Sequence, residues 1–163
     1  MRSFAFMLAL CAFINVAAAA TCPVRKITND GNFLKFDGYV VELQDPDDPV
    51  SPSAWQGDMV ITSPGGKQCS PGGSLIDQSF FLAGTHFLYI DTYNGSEHVQ
   101  AMIDANNCTV KWTSPQYVGP PSFLSPDRFR YEVTNVAWGD SKNESFTVKI
   151  GPDCLPGKPV TGP

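Results

Sequence analysis

Asp37-Gly38 sits between two β-prone runs, Phe33-Leu34-Lys35-Phe36 and Tyr39-Val40-Val41-Glu42-Leu43, and this arrangement commits the segment to an antiparallel hairpin. A type I′ turn needs positive φ at both central residues, which Asp-Gly supplies at low cost. A two-residue loop pairs Phe36 with Tyr39 and Leu34 with Val41. All four then share one face, so turn chemistry and hydrophobic pattern specify the same register. Asn94-Gly95 repeats the device between the runs His86 to Asp91 and His98 to Ile103. A two-residue loop there sets Ile90 opposite Val99, Leu88 opposite Ala101 and His86 opposite Ile103 on one face. On the other face Asp91 falls opposite His98, Tyr89 opposite Gln100 and Phe87 opposite Met102. Apolar residues on both faces are the pattern of strands covered on each side, in a sandwich or a barrel.

Later segments alternate with period two. Phe129, Tyr131 and Val133 interleave with Arg130, Glu132 and Thr134, and Phe146, Val148 and Ile150 with Thr147 and Lys149. Half-buried strands read this way. Asp58 to Thr62, Gln78 to Leu82 and Thr109 to Thr113 are further short candidates. Breakers separate them: Asp45-Pro46-Asp47-Asp48-Pro49, Ser63-Pro64-Gly65-Gly66, Pro71-Gly72-Gly73 and Gly119-Pro120-Pro121. No window carries a sustained helical stripe. The expectation is an all-β domain, a small β-sandwich or barrel of about nine short antiparallel strands. Phe33 to Tyr39 echoes Phe87 to Tyr93, which admits a β-trefoil as a minority topology, although no third copy is evident.

The chain opens with a single charge at Arg2, an apolar run from Phe4 to Val16 and a small-residue site at Ala18-Ala19-Ala20. That order is a secretory signal over residues 1–20. Cleavage after Ala20 leaves one β domain over residues 21–151 and a Pro-rich tail, 152–163, carrying the last cysteine. Loss of Arg2 leaves ten basic against sixteen acidic residues, a net charge of −6. Nucleic acid is a poor partner for such a surface, and no second apolar stretch supplies a membrane anchor.

Cys11 departs with the leader, so Cys22, Cys69, Cys108 and Cys154 remain. An even count in an exported chain implies two disulfides, with three connectivities open. Closed β domains often bring their termini together, which favours Cys22–Cys154 with Cys69–Cys108. The cysteines are widely spaced and only two histidines are present, so neither a metal site nor a cofactor is expected. Sequons at Asn94, Asn107 and Asn143 mark glycosylation sites in a eukaryotic secretory pathway.

Catalytic motifs are scarce. Neither G-x-S-x-G nor H-E-x-x-H occurs, and His86 and His98 fall on opposite faces of one hairpin. Asp91 with His98 is the nearest approach to an acid–base dyad, and a structural cross-strand pair is the plainer reading. The acidic loop 45–49 has oxygen ligands for calcium but lacks EF-hand spacing, so a solvated loop is expected. Trp55, Trp112, Trp138 and Tyr117 could each stack on a sugar ring, although Trp112, in phase with Val110, reads as core. Trp55 and Tyr117 lie in Pro/Gly-rich surroundings and are the candidate ligand contacts, as exposed aromatics that stack on sugar rings.

From Cys69 onward a longer pattern emerges. The cysteine is followed by Gln78-Ser79-Phe80-Phe81-Leu82, Gly84, Phe87-Leu88-Tyr89, then Gln100 and Asp104. With Thr21-Cys22-Pro23-Val24 at the start and Ser145-Phe146-Thr147-Val148 before Cys154, it resembles fungal phialide-type secreted cell-wall proteins. The resemblance implies an extracellular, non-catalytic role at the cell wall and brings no catalytic residues with it. The expected function is therefore a non-enzymatic protein of the fungal cell wall or surface. The alternatives are a secreted effector or elicitor acting on a host protein, and a small module binding cell-wall polysaccharide.

Overall fold

The computed structural model describes residues 21–124, 126–135 and 142–162. The leader and Trp138 lie outside the described residues. The Asp37-Gly38 hairpin forms in the expected register: β3 (Phe33–Phe36) and β4 (Tyr39–Leu43) pair Phe36 with Tyr39 and Leu34 with Val41. Asp37 and Gly38 have φ of 44° and 84°, the double positive φ that a type I′ turn requires.

Before this hairpin lie β1 (Val24–Ile27) and β2 (Asn29–Asp30), and after it β5 (Ala54–Thr62), β6 (Gln68–Cys69), β7 (Gly73–Ala83), β8 (Phe87–Asn94), β9 (Glu97–Asp104) and β10 (Thr109–Thr113). They join in one antiparallel sheet ordered β10-β9-β8-β7-β5-β4-β3-β2, with β1 on β7 and β6 on β5. A second sheet runs β11 (Ser122–Leu124), β12 (Arg128–Asn135), β13 (Lys142–Lys149) and β14 (Val160–Gly162). No described residue is helical. Both sheets are open paths, so the architecture is sandwich-like rather than a closed barrel, and the trefoil alternative falls with the barrel. The described residues form fourteen strands where about nine were expected. Pieces such as β2 and β6, at two residues each, are too short to carry a period.

The long sheet folds over through β5. Its first residues, Ala54–Asp58, pair with β7, and Met59–Thr62 pair with β4. Leu34, Val41 and Ile61 from one half thereby pack with Phe80, Leu82, Leu88 and Ile103 from the other, forming the first core. The opposite face of the same central strands presents Phe81, Tyr89 and Met102, which pack with Phe129, Tyr131, Phe146 and Val148 of the second sheet. This double coverage explains why the central hairpin is apolar on both faces. Each large side chain fully withdrawn from water contributes about 1.5–3 kcal/mol.

Two details differ from expectation. The loop of the second hairpin is Gly95-Ser96, so Asn94 pairs with Glu97, Ile90 with Ala101 and Asp91 with Gln100. Gly95 at φ 68° stands first in the loop, where a type II′ turn places its glycine, and the hairpin keeps one more rung. The slip is two residues, an even number, so every side chain keeps its expected face. Val110 and Trp112 are not in phase, because a bulge between them breaks the alternation. Trp112 is half-buried against the second core, whereas Val110 is exposed.

Disulfides join Cys22 to Cys154 and Cys69 to Cys108, the pairing favoured by the closeness of the termini. The smaller loop, with a sequence separation of 39, is worth about 4 kcal/mol in the chain-entropy model. Beyond Cys154 the Pro-rich segment folds back, with Ile150 bridging Pro156 and β14 lying along β13.

Candidate functional site

Asp91 is fully buried on the second-core face of β8, and both of its carboxylate oxygens are engaged. The Tyr117 hydroxyl donates to Oδ1 at 2.6 Å, and His98 Nδ1 lies 3.0 Å from Oδ2. In the observed register Asp91 faces Gln100 directly and meets His98 diagonally, still on one face. Beside this group the Tyr131 hydroxyl donates to Gln100 Oε1 at 2.6 Å, a hydrogen bond from the second sheet to the central one. Gln100 Nε2 is buried with no hydrogen-bond partner among the described residues. On the other side of Asp91, β7 places Asp77 directly opposite it.

Burial governs the electrostatics. Withdrawal from water pushes the Asp91 carboxyl up to about 6, against the opposing pull of the hydrogen bonds from Tyr117 and His98. Burial likewise drives the Tyr117 hydroxyl far above its ordinary range, and the adjacent Asp91 carboxylate adds to the rise. Among the described residues, Asp77, Asp91 and His98 bring three ligand-type atoms within 4.8 Å of one another. A cation held between His98 Nδ1 and Asp91 Oδ2 would have to displace the hydrogen bond that joins those two atoms. The arrangement works chemically as a hub that locks the 114–118 loop against the sheet.

That loop explains Tyr117. Expected as an exposed aromatic, it is 2 % exposed. The Tyr117 N–H donates to His98 O and the His98 N–H to Tyr117 O, so the Pro-flanked loop returns as one extra rung on β9 and carries the ring inward. The ring stacks on His98 and leans on Tyr131. Trp55 is also not a surface contact, being 1 % exposed. It lies on β5 rather than in the loop, its Nε1 donates to Asn32 Oδ1 at 3.0 Å, and its ring packs on Phe80. Neither residue presents a face on which a sugar ring can stack.

The acidic loop turns its carboxylates on its own backbone. Asp47 accepts from the N–H groups of Asp48, Ser53 and Ala54 and from the Ser53 hydroxyl. The Ser53 hydroxyl is the leading cause of a pKa lowered to about 2. Asn94 is exposed at the hairpin tip. Asn107 is exposed too, although its Oδ1 accepts from Thr109 N–H beside the bridged Cys108. Asn143 lies on β13, and its side chain is outside the described residues.

Sequence reasoning found Asp91 and His98 as partners but missed Asp77, Gln100 and Tyr131 beside them. The signal for Gln100 was present: it alternates inward with Met102, so a buried amide was legible. Asp77 was hidden by the register shift in β7 between Asp77 and Phe80, which defeats period-two counting. Compared with known proteins, the chain matches no protein-family model and no curated sequence.

Proposed function

We propose that the mature chain is a non-catalytic exported protein of the fungal cell wall or surface. The observation that carries this reading is the closure of the Asp91–His98 pair. The base of such a pair would be His98, with Asp91 only orienting it. Yet the His98 ring is 13 % exposed and stacks on both Tyr93 and Tyr117, while Asp91 is 0 % exposed with its oxygens engaged by Tyr117 and His98, so the base has little room to meet a substrate proton. The pair is therefore read as a structural clamp. Two disulfides are compatible with an oxidising, extracellular location, and one of them ties the first described strand to the C-terminal segment. The cell-wall assignment itself rests on the resemblance of residues 21–24, 69–104 and 145–154 to phialide-type proteins.

The test is fractionation of the producing cells into wall, medium and host-associated pools, for the wild type and His98→Gln. The expected result is that both proteins partition with the wall and neither hydrolyses wall polysaccharides. Polysaccharide turnover that disappears in His98→Gln would overturn the non-catalytic reading. Exclusive recovery with host material would replace the wall role by that of an effector.

A further inference from the structure

The first core opens at one end. A cleft of about 210 Å³ lies where the β5–β7 corner faces β8, β9 and β10. Its floor is Met59, Ile76, Ile90, Ala101 and Ile103, all buried and all apolar. Its mouth is framed by the Pro71–Ser74 turn on one side and by Val110 and Thr113 on the other. Among the described residues no charged side chain lines it.

The two rims are bolted together. Pro71 follows Cys69 by two residues, Val110 follows Cys108 by two, and these cysteines form a disulfide within the first core. A cleft whose width is held by a covalent cross-link is preorganised, so a ligand entering it loses little to ordering of the walls.

We infer that this cleft is a binding site for a small, neutral, predominantly aliphatic molecule. Neutrality follows from the lining: an ammonium or carboxylate seated on that floor would lose its hydration with no counter-charge to replace it. Size follows from the volume. An apolar cavity of about 150 Å³ accommodates benzene, so this one takes about six to ten carbon atoms. The hydroxyl of the molecule stays inside the rim, beside Thr113 and the backbone of Gly72 and Gly73, a depth at which an ionic head would shed part of its hydration with no counter-charge to replace it. The site stands independently of the cell-wall reading, and its failure would leave partitioning with the wall untouched.

The experiment is a titration of the mature, disulfide-intact protein followed by amide ¹H–¹⁵N shifts, with 1-hexanol, 1-octanol, octanoate and octylammonium as probes. Octanol is expected to move the amides of Val99, Ala101 and Val110 saturably. Each added methylene is expected to tighten binding about fourfold from hexanol upward. Octanoate and octylammonium are expected to bind at least about tenfold more weakly than octanol, for want of a counter-charge. Val110→Asp, at a position 45 % exposed, is expected to weaken octanol by a similar factor with the fold intact. Thr113→Arg, exposed on the same lip as Val110, provides a second variant with the same expectation. Absence of saturable shifts at those amides, charged probes binding as well as octanol, or octanol affinity unchanged in both variants would each refute the site.

Discussion

Replacing Asp91 with Asn isolates the energetic consequence of burying a carboxylate between two sheets. In the unfolded chain an aspartate loses its proton near pH 3.9. In the folded protein, burial holds the Asp91 proton up to about 6. Between those values the folded state binds more protons than the unfolded one, so raising the pH favours unfolding. The contribution of Asp91 is therefore fully present below about pH 4 and is lost as the pH rises through about 6. A difference of about 2 in pKa corresponds to about 3 kcal/mol. Asp47 acts with the opposite sign, because its pKa is lowered to about 2, and its stabilisation fades only as the pH falls below about 4. The two windows do not overlap. Asn is close in shape to Asp, and its carbonyl can accept from Tyr117 while its amide faces His98, without a charge to desolvate. Urea unfolding followed by tryptophan fluorescence at intervals from pH 4.5 to 7.5 measures the effect. The wild type is expected to lose about 2–3 kcal/mol over this range, and Asp91→Asn to flatten most of that slope. A wild-type stability that rises with pH here, or an unchanged slope in Asp91→Asn, would refute the argument.

The hairpin glycines separate two costs. Gly38→Val carries both the strain of φ 84° and a Cβ placed 3.1 Å from Pro64, whereas Gly95→Val at φ 68° meets no atom within 4 Å. Both are expected to destabilise, by about 1–2 kcal/mol for Gly95 and by more for Gly38, and equal thermal unfolding shifts would contradict this ordering. Trp55→Ala is expected to cost about 3–5 kcal/mol in denaturant unfolding, the range for emptying a large core site. A loss below about 1 kcal/mol would place Trp55 back at the surface.

The parts of this protein legible in the amino-acid order are those governed by neighbours along the chain. Asp37-Gly38 dictates its turn through backbone sterics, and the alternation of Leu88, Tyr89 and Ile90 with Ala101, Met102 and Ile103 assigns two apolar faces whatever the exact rung. Even the slip at Gly95-Ser96 left those faces intact, because side-chain direction repeats every two residues. Four cysteines behind a leader-like N-terminal run point to cross-links in the same local way.

Trp55, Tyr117 and the cleft obey a different logic. Pro and Gly around the two aromatics signalled loops, and loops suggested exposure. Whether an aromatic near a turn faces water depends on what the rest of the chain lays over it. Phe80 and Asn32 receive Trp55, while Asp91, His98 and Tyr131 receive Tyr117, from positions up to 26 residues distant in sequence. The partner change within β5, the bulge beside Val110 and the folding of one long sheet onto itself likewise have no local code. They arise because β7, β8 and β9, apolar on both faces, must be covered twice, and only the complete chain supplies the second cover.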